Sequence, residues 1–365
     1  VYGESEMQFT DIDGDGYPDH VLKQLTGDTS ALYVKRNLTG KANLLKTVTR
    51  PLGGSFTLDY KKVGNIVDYS DQNNLIDMPN SQWVLISTVL DDGLPGDGTS
   101  TYTTAYDYGT PFYSRAEREF FGFNKVMETR NDGSAIERAF ENHDYHKKGL
   151  QYSEVLKDNK GKVWHRTENV YDLRDLGAPT YQPLFPDQNY DDSHKDQLHV
   201  KFPMLTATTR HFYTGKTTDP AVSSKSTAQN FEYDDYGNIN LFVDRADEGT
   251  TDDVYAAITY WIDPQDNYIV GKPGTIRVTD NSRSNVYRER KAVYQNGTGN
   301  MTELSMLIQG STNAVWNIDY YENGNLKSIQ YPAGAPSHNT KTDRYFITYQ
   351  YDPQVETYVT GISDA

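Results

Sequence analysis

Short segments that alternate between apolar and polar residues recur along the chain, separated by turn dipeptides such as Asn-Gly, Asp-Gly and Gly-Asn. Alternation with a period of two is typical of half-buried strands, whereas long stretches with the 3.6-residue period of a helix are nearly absent. This pattern predicts an all-β chain. The segments that we predict as strands are Met7–Thr10, His20–Leu25, Ser30–Lys35, Gly54–Val63, Gln82–Leu90, Thr101–Tyr108, Val163–Tyr171, Ile258–Ile262, Thr275–Thr279 and Arg344–Tyr351.

The composition of the 365 residues favours a thin layer of strands over a thick globular core. Aromatic residues make up 13% of the chain, and 29 of them are tyrosines. Tyrosine suits a pleated surface that is apolar on one side and wet at its rim. Hydrophobic residues reach only 36% of the chain. We therefore expect an extended sheet.

The charge balance and the missing cysteines exclude several classes of partner and chemistry. Acidic residues outnumber basic ones by 51 to 35, which gives a formal net charge of −16. This sign disfavours nucleic acid and anionic lipid, and no apolar run approaches the roughly 20 residues that span a bilayer. We expect no nucleic-acid partner and no membrane insertion. A chain with no cysteine has no disulfide, thiolate nucleophile or Cys-ligated zinc, as in many secreted bacterial proteins.

The sharpest local motif is an aspartate-rich loop between two predicted strands. Carboxylates at loop positions 1, 3, 5 and 9, a glycine at position 6 and a backbone carbonyl at position 7 can wrap one oxygen-loving cation. The candidate ligands in this order are Asp11, Asp13, Asp15, Tyr17 through its carbonyl, and Asp19. Four carboxylates this close would repel one another without a cation. We predict a structural Ca²⁺ site rather than a solvated acidic turn or a catalytic carboxylate pair.

The histidines and the remaining motifs point away from catalysis. His143 and His146 could reach one metal from a helix, but in a strand they would lie on opposite faces, and no third ligand is near them in the sequence. The chain has no G-x-S-x-G, no H-E-x-x-H and no phosphate-binding glycine loop. We expect surface or packing histidines and no enzymatic activity.

Three segments between the predicted strands carry separate expectations. In Arg115–Val126, alternating charges lead into aromatic residues around Gly122. This pattern predicts a charged edge that turns into a buried aromatic corner, where glycine lets the strand bend or bulge. The alternative is an aromatic platform that binds a ligand. Arg115–Glu119 is expected to form one helical turn or to continue a long hairpin. Asp71–Ser81 and Arg174–Asp196 are predicted to be irregular, the second one wrapping the outside.

One loose motif recurs beyond about residue 220. It consists of an aromatic-led strand, then Gly-Asn, then an aliphatic residue and another strand, and it starts at Tyr233, Tyr294 and Tyr320, with a related ending at Tyr349. Gly-Asn tolerates the positive φ that a tight hairpin requires. Because a single hairpin is unstable alone, we expect the repeats to stack.

These patterns divide the chain into three parts. Residues 1–40 carry the aspartate loop, 41–220 form a strand-rich middle region, and 221–365 contain the repeats. The chain starts at Val1 without an initiator Met or a signal peptide, and both ends interrupt recognisable patterns. We expect a fragment of a longer protein.

The order of these segments resembles the B component of insecticidal toxin complexes and SpvB-like proteins. The aspartate loop is similar to the calcium loop of FG-GAP/VCBS-type β-propeller blades. Asn43–Val48, Pro51–Tyr60 and Arg118–Phe123 are similar to segments that begin the shell of those toxins, and the Tyr/Gly-Asn repeats resemble Rhs/YD repeats. The resemblance covers nearly the whole chain, and the order of the segments makes it specific.

This resemblance implies an all-β fold: an extended, curved sheet of stacked Rhs/YD-type β-hairpins as part of a hollow shell, with a remnant of a propeller blade at the N terminus. It implies a non-enzymatic piece of a secreted bacterial toxin that encapsulates a C-terminal toxic effector for delivery. The implied partners are the remainder of the same shell, the enclosed effector and other toxin-complex subunits. The alternative is a calcium-dependent extracellular adhesion or carbohydrate-binding module.

Overall fold

The structure, a computed structural model, describes residues 6–13, 16–26, 29–64, 66–67, 77–79, 81–94, 96, 100–176, 200–247, 249–263, 268–333 and 344–364. The regular elements of this part of the chain are all β-strands. No helix among these residues is long and apolar enough to cross a bilayer. The expectation of an all-β fold built on extended antiparallel sheets is confirmed.

The strands of the described residues follow one another at short intervals along the chain. Their bounds are β1 (Glu6–Thr10), β2 (Asp19–Thr26), β3 (Thr29–Lys35), β4 (Thr47–Thr49), β5 (Ser55–Val63), β6 (Gln82–Asp91), β7 (Thr101–Tyr108), β8 (Pro111–Ser114), β9 (Glu119–Phe123), β10 (Lys125–Arg130), β11 (Ala135–Phe140), β12 (Gln151–Lys157), β13 (Val163–Asp175), β14 (Lys201–Phe212), β15 (Lys225–Tyr233), β16 (Ile239–Asp244), β17 (Val254–Asp263), β18 (Ile269–Asp280), β19 (Val286–Tyr294), β20 (Met301–Gln309), β21 (Thr312–Tyr320), β22 (Leu326–Gln330), β23 (Phe346–Tyr351) and β24 (Val359–Asp364).

The strands belong to two compact units, and β14 contributes residues to both. The first unit comprises residues 1–203 and 210–225, and the second comprises 204–209 and 226–365. In the first unit, β1, β2 and β3 form one antiparallel sheet, and a larger sheet has the order β4-β5-β6-β7-β10-β11-β12-β13. The hairpin of β8 and β9 lies between β7 and β10 in the sequence and pairs only within itself. In the second unit, β15 to β24 form a meander in chain order. No pairing among the described residues closes either large sheet on itself.

One five-residue loop closes several of the hairpins. The N–H of its first residue donates to the carbonyl of the fifth, and the N–H of the fourth donates back to the carbonyl of the first. The fourth residue is a glycine with φ between 74° and 95° in every case, the left-handed conformation that costs glycine least. The expected positive φ is thereby confirmed. The loop is found at 50–54, 130–134, 158–162, 234–238 and 321–325, so it also occurs before residue 220, where the motif had not been recognised.

Tyrosines at strand ends tie neighbouring strands together. In three cases the phenol hydroxyl donates to a backbone carbonyl of the preceding strand, and each tyrosine lies at a register shift where the following strand carries the extra residue of a bulge. Burial raises the pKa of all three phenols above the ordinary value. The motif therefore starts with tyrosine because the ring packs at the bulge while its hydroxyl satisfies a carbonyl. The pairs are Tyr233 with Leu205 at 3.0 Å, Tyr260 with Ile239 at 2.9 Å and Tyr294 with Pro273 at 2.9 Å.

Replacing Tyr294 with Phe is expected to lower the free energy of unfolding by about 1–3 kcal/mol, because the carbonyl of Pro273 loses its donor at a buried site. Urea unfolding of the variant and the parent chain measures the difference. Tyr287 is the matched control, since it lies on the same strand and is 63% exposed, so that Tyr287→Phe should shift stability by less than about 0.5 kcal/mol. Equal shifts for the two variants would contradict the anchoring role.

Few side chains are fully buried, as a thin sheet requires. The buried hydrophobic residues of the described chain that form a contiguous cluster are Val155, Val163 and Tyr213, all in the first unit. In the second unit the described strand pairs in extensive contact are all sheet neighbours. The thin-layer expectation is confirmed.

The two faces of the sheet in the second unit nevertheless differ in chemistry. Side chains that are paired across strands share a face. One face, here called the apolar face, carries half-buried rows that the exposed Arg288 and Arg290 of β19 interrupt: Phe231–Phe242–Ala256–Val278, Ile258–Ile276, Ala292–Leu304–Trp316 and Ile318–Ile329–Ile347. The opposite face, here called the polar face, carries Thr259–Thr275–Lys291–Ser305, Glu303–Asn317–Gln330 and Asp319–Ser328–Thr348, together with Val293 and Val315.

Candidate cation site

The aspartate loop connects β1 to β2, and Asp19, the first residue of β2, fixes its geometry. The Asp19 side chain is fully buried. Its Oδ2 accepts the backbone N–H of Ile12 at 3.1 Å, and its Oδ1 accepts the backbone N–H of Asn37 at 2.8 Å. Asp19 therefore joins the start of the loop to the segment that follows β3.

The rest of the loop is held by shorter-range contacts. Oδ2 of Asp11 accepts the backbone N–H of Gly16 at 2.5 Å. Gly16 has φ +77°, and a Cβ added there would lie 2.9 Å from Cβ of Ser81, so both the backbone conformation and the space require glycine. Nε of Arg36 lies 3.4 Å from Oδ2 of Asp13, with the arginine side chain 71% exposed.

Three of the predicted ligands are brought together. Asp11, Asp13 and Asp19 each offer one carboxylate oxygen, and these oxygens lie within 4.8 Å of one another. Such a group can hold an oxygen-preferring cation, because each oxygen that accepts one backbone N–H retains a second lone pair. Asp15 lies outside the described residues.

Tyr17 has a second role that the sequence analysis missed. Its hydroxyl donates to the carbonyl of Gly40 at 2.7 Å, and Nζ of Lys62 lies 3.5 Å from the centre of its ring. The same ammonium is 5.5 Å from the ring centre of Trp83, so Lys62 of β5 sits between the loop and β6 in a cation–π arrangement. No local signal marks Lys62 in the sequence, since the contact joins residues 45 positions apart.

The hydrogen bonds to Asp19 also set its ionisation. The N–H groups of Asn37 and Ile12 hold the pKa of this carboxyl below its ordinary value, although burial acts in the opposite direction. The group is therefore a carboxylate at neutral pH.

The free energy of unfolding is expected to contain a contribution from Asp19 that is lost on acidification. A carboxyl whose pKa is lower in the folded than in the unfolded chain stabilises the fold above the unfolded value, about 3.9, and this stability disappears as the pH falls through the folded value. Denaturant unfolding between pH 2 and 6 of the parent chain and of Asp19→Asn isolates the effect. The difference between the two should shrink as the pH falls, and a constant difference would contradict it.

The two histidines that the sequence analysis considered as metal ligands lie outside this loop. His143 packs on the ring of Phe112 with the ring centres 4.7 Å apart, and His146 packs on Tyr145 at 5.2 Å. Both lie between β11 and β12 in a stretch without helix or strand. No histidine of the described residues joins the gathered carboxylates.

The aromatic corner is confirmed as a bulged hairpin. Gly122 of β9 has φ +108°, and the register of β8 and β9 shifts beside it, between Phe112 and Tyr113. The helical turn that was one of two expectations for Arg115–Glu119 is wrong, because the chain makes a hairpin turn there and continues into β9. Of the segments expected to be irregular, 71–76 and 80 in the first and 177–196 in the second lie outside the described residues.

Comparison with known proteins relates this architecture to toxin complexes. Residues 2–152 match the family model described as "Insecticide toxin TcdB middle/N-terminal region". No curated protein sequence matches the chain closely enough to count as a relative. The family match is thus limited to residues 2–152, and the solved structures described next share the fold.

Solved Tc toxin structures share the fold of nearly the whole chain. The chain is 12% identical to a chain of the Photorhabdus luminescens Tc holotoxin pore, with a TM-score of 0.62 over 99% of this chain and 24% of that one. It is 11% identical to the TcdB2-TccC3-Cdc42 structure, with a TM-score of 0.61 over 99% and 25%. For TcdB2-TccC3 without its hypervariable C-terminal region, the identity is 12% and the TM-score 0.59 over 95% and 23%. The chain thus spans about a quarter of the length of these proteins.

Proposed function

We propose that this chain is a non-enzymatic segment of the wall of a secreted bacterial Tc-type toxin shell, which encapsulates a toxic effector for delivery. The observation that carries this proposal is the thin sheet of the second unit, whose two faces differ in chemistry. The proposed partners are the remainder of the same shell, its enclosed effector and other toxin-complex subunits. The similar structures, which contain TcdB2 with TccC3 and a Tc holotoxin, support these partners.

The apolar face is the physical argument for a wall. Its rows of aromatic and branched aliphatic residues extend from β15 to β23, with Arg288 and Arg290 of β19 between them. Apolar rows of this extent are costly against bulk water. In a closed shell the polar face would meet solvent and the apolar face would meet the contents.

Cysteine labelling tests this orientation. Ile276 and Thr275 are neighbours on β18, lie on opposite faces and are both half-buried, and the chain has no cysteine of its own. In the isolated chain, Ile276→Cys and Thr275→Cys should react with a bulky maleimide at similar rates. In the assembled toxin, Thr275→Cys should still react, while Ile276→Cys should be protected until the shell is denatured.

Equal reactivity of the two cysteines in the assembled toxin would contradict the proposal, as would protection of the polar-face cysteine alone. Limited proteolysis of the full-length parent supplies the second readout. A discrete C-terminal fragment that resists protease until the shell is opened is expected, and uniform digestion of that region would argue against encapsulation.

We further propose that loop 11–19 binds a structural Ca²⁺ through Asp11, Asp13, Asp15, the carbonyl of Tyr17, and Asp19. The gathered carboxylates of three of these residues support the proposal. The ion would offset the repulsion of carboxylates that the fold holds close together, and its role would be to fix the β1–β2 connection.

Calorimetric titration of the chain with CaCl₂ should give a heat of binding that Asp13→Ala and Asp15→Ala abolish. A Ca²⁺ concentration of about 100 times the dissociation constant should add about 2.7 kcal/mol to the free energy of unfolding. Asp235, an exposed aspartate in the loop 234–238, is the control, and Asp235→Ala should bind as the parent chain does. Undiminished binding by the Asp13 variant would place the ion elsewhere.

A further inference from the structure

A groove of about 900 Å³ lies at one end of the sheet of the second unit. The loop 321–325 between β21 and β22 forms one wall, and the connection 352–358 between β23 and β24 forms the other. The groove is remote in sequence from the aspartate loop and takes no part in the role proposed above.

Two tyrosine rings form a rigid corner in this groove. The ring centres of Tyr321 and Tyr351 are 6.0 Å apart, and the ring planes are perpendicular, at 89°. The hydroxyl of Tyr321 donates to the carbonyl of Tyr349 at 3.0 Å, which fixes the ring, and the residue is still 39% exposed. A fixed, partly exposed aromatic face can bind a ligand without first losing side-chain freedom.

The facing wall is held in a conformation that costs free energy. Glu356 has φ +53°, which is unfavourable for a residue with a side chain. Its carboxylate accepts Nδ2 of Asn323 at 2.7 Å, and its carbonyl accepts Nδ2 of Asn325, so loop 321–325 clamps it. The two walls therefore hold each other at a set spacing.

The remaining lining groups both donate and accept hydrogen bonds. Glu322 and Asp352 supply carboxylate oxygens, and Gln350 supplies an amide. The ammonium of Lys327 lies 5.8 Å from the ring centre of Tyr321. An anion would be repelled by the carboxylates, and a cationic ligand would compete with Lys327 for the tyrosine ring.

We propose that this groove is a binding site for a neutral oligosaccharide. A pyranose has an apolar face of C–H groups and a rim of hydroxyls that both donate and accept hydrogen bonds. The ring of Tyr321 would pack against the C–H face, and Asp352, Gln350 and Lys327 would hydrogen-bond to the hydroxyls of the rim. The open groove suits part of a sugar chain rather than an enclosed small molecule.

Saturation-transfer NMR and calorimetry of the full chain with cellotetraose, maltotetraose and chitotetraose test the proposal, in the absence of added Ca²⁺. At least one of these probes should bind in the millimolar range. Tyr321→Ala should weaken that binding by about tenfold. Tyr321→Phe keeps the ring but loses the hydrogen bond that fixes it, so it should bind more tightly than Tyr321→Ala and somewhat more weakly than the parent chain, and it guards against a folding defect.

Gln350→Ala removes a rim group without touching the rings and should also weaken binding. Tyr287→Ala is the matched control, since Tyr287 is an exposed tyrosine of β19 outside the groove. The proposal is overturned if none of the three tetrasaccharides binds, or if Tyr321→Ala and Tyr287→Ala have the same effect. Because the isolated chain suffices, these outcomes are independent of whether it forms a shell wall.

Discussion

Alanine in place of Gly93 is expected to lower the free energy of unfolding by about 3–5 kcal/mol, because backbone strain and overpacking add at this position. Gly93 follows β6 and has φ +79°. A Cβ there would lie 2.5 Å from the carbonyl carbon of Gly53 and 2.5 Å from the nitrogen of Gly54. Both are backbone atoms of loop 50–54, so the two connections can approach this closely only if residue 93 carries no side chain.

The matched control is Gly96, which has φ +95° and no described atom within 4 Å of an added Cβ. Gly96→Ala introduces backbone strain without overpacking and should lower the free energy of unfolding by about 1–2 kcal/mol. Urea unfolding of both variants separates the two causes. Equal losses would show that the approach of the two connections contributes nothing to stability.

Removal of the Asn142 side chain is expected to lower the free energy of unfolding by about 1.5–4.5 kcal/mol, because the half-buried carbonyl of Phe123 would lose a donor worth about 1–3 kcal/mol and the N–H of Gly149 a hydrogen bond worth about 0.5–1.5 kcal/mol. Asn142 is 4% exposed. Its Nδ2 donates to the carbonyl of Phe123 at 2.6 Å, and its Oδ1 accepts the N–H of Gly149 at 2.7 Å. One side chain thus joins the β8–β9 hairpin to the stretch before β12.

Gly122 makes this bridge possible. A Cβ on Gly122 would lie 3.0 Å from Nδ2 of Asn142, so a larger residue would displace the amide from the carbonyl that it satisfies. Asn131 is the control for Asn142→Ala, since it is an exposed asparagine in loop 130–134. Asn131→Ala should change the unfolding free energy by less than about 0.5 kcal/mol. A similar loss of unfolding free energy in both variants would show that the hydrogen bonds of Asn142 do not stabilise the fold.

Local pattern predicted the strands where alternation was clean. Thr101–Tyr108 was predicted with the bounds that β7 has, and Gly54–Val63 differs from β5 by one residue. The prediction fell short at β17 and β18, where only Ile258–Ile262 and Thr275–Thr279 were recognised. β18 contains Gly271, Pro273 and Gly274, residues that ordinarily interrupt a strand. The strand continues through them because its pairing with β17 shifts register there.

The sequence predicted the candidate cation site only in part, because a local pattern indicates contacts within one segment and not contacts between distant segments. Asp11, Asp13 and Asp19 lie within one short loop, so their spacing alone indicated that they would converge. The anchor of that loop was not predictable, because Asn37, Gly40 and Lys62 reach it from beyond the motif. The groove at Tyr321 and Tyr351 was not predictable either, since it forms only where two separate hairpin ends meet.

The sequence by itself determined the all-β class, the alternation of faces along each strand and the glycines of the five-residue loops. These properties depend on residues within a few positions of one another, for which backbone sterics and the period of two suffice. Only the tertiary structure decided which strands are neighbours, in which register, and therefore that Phe231, Val278 and Ile347 share one face. The register between two strands depends on many weak pairing energies between residues that are distant in the chain. The pattern of any one segment does not show these energies.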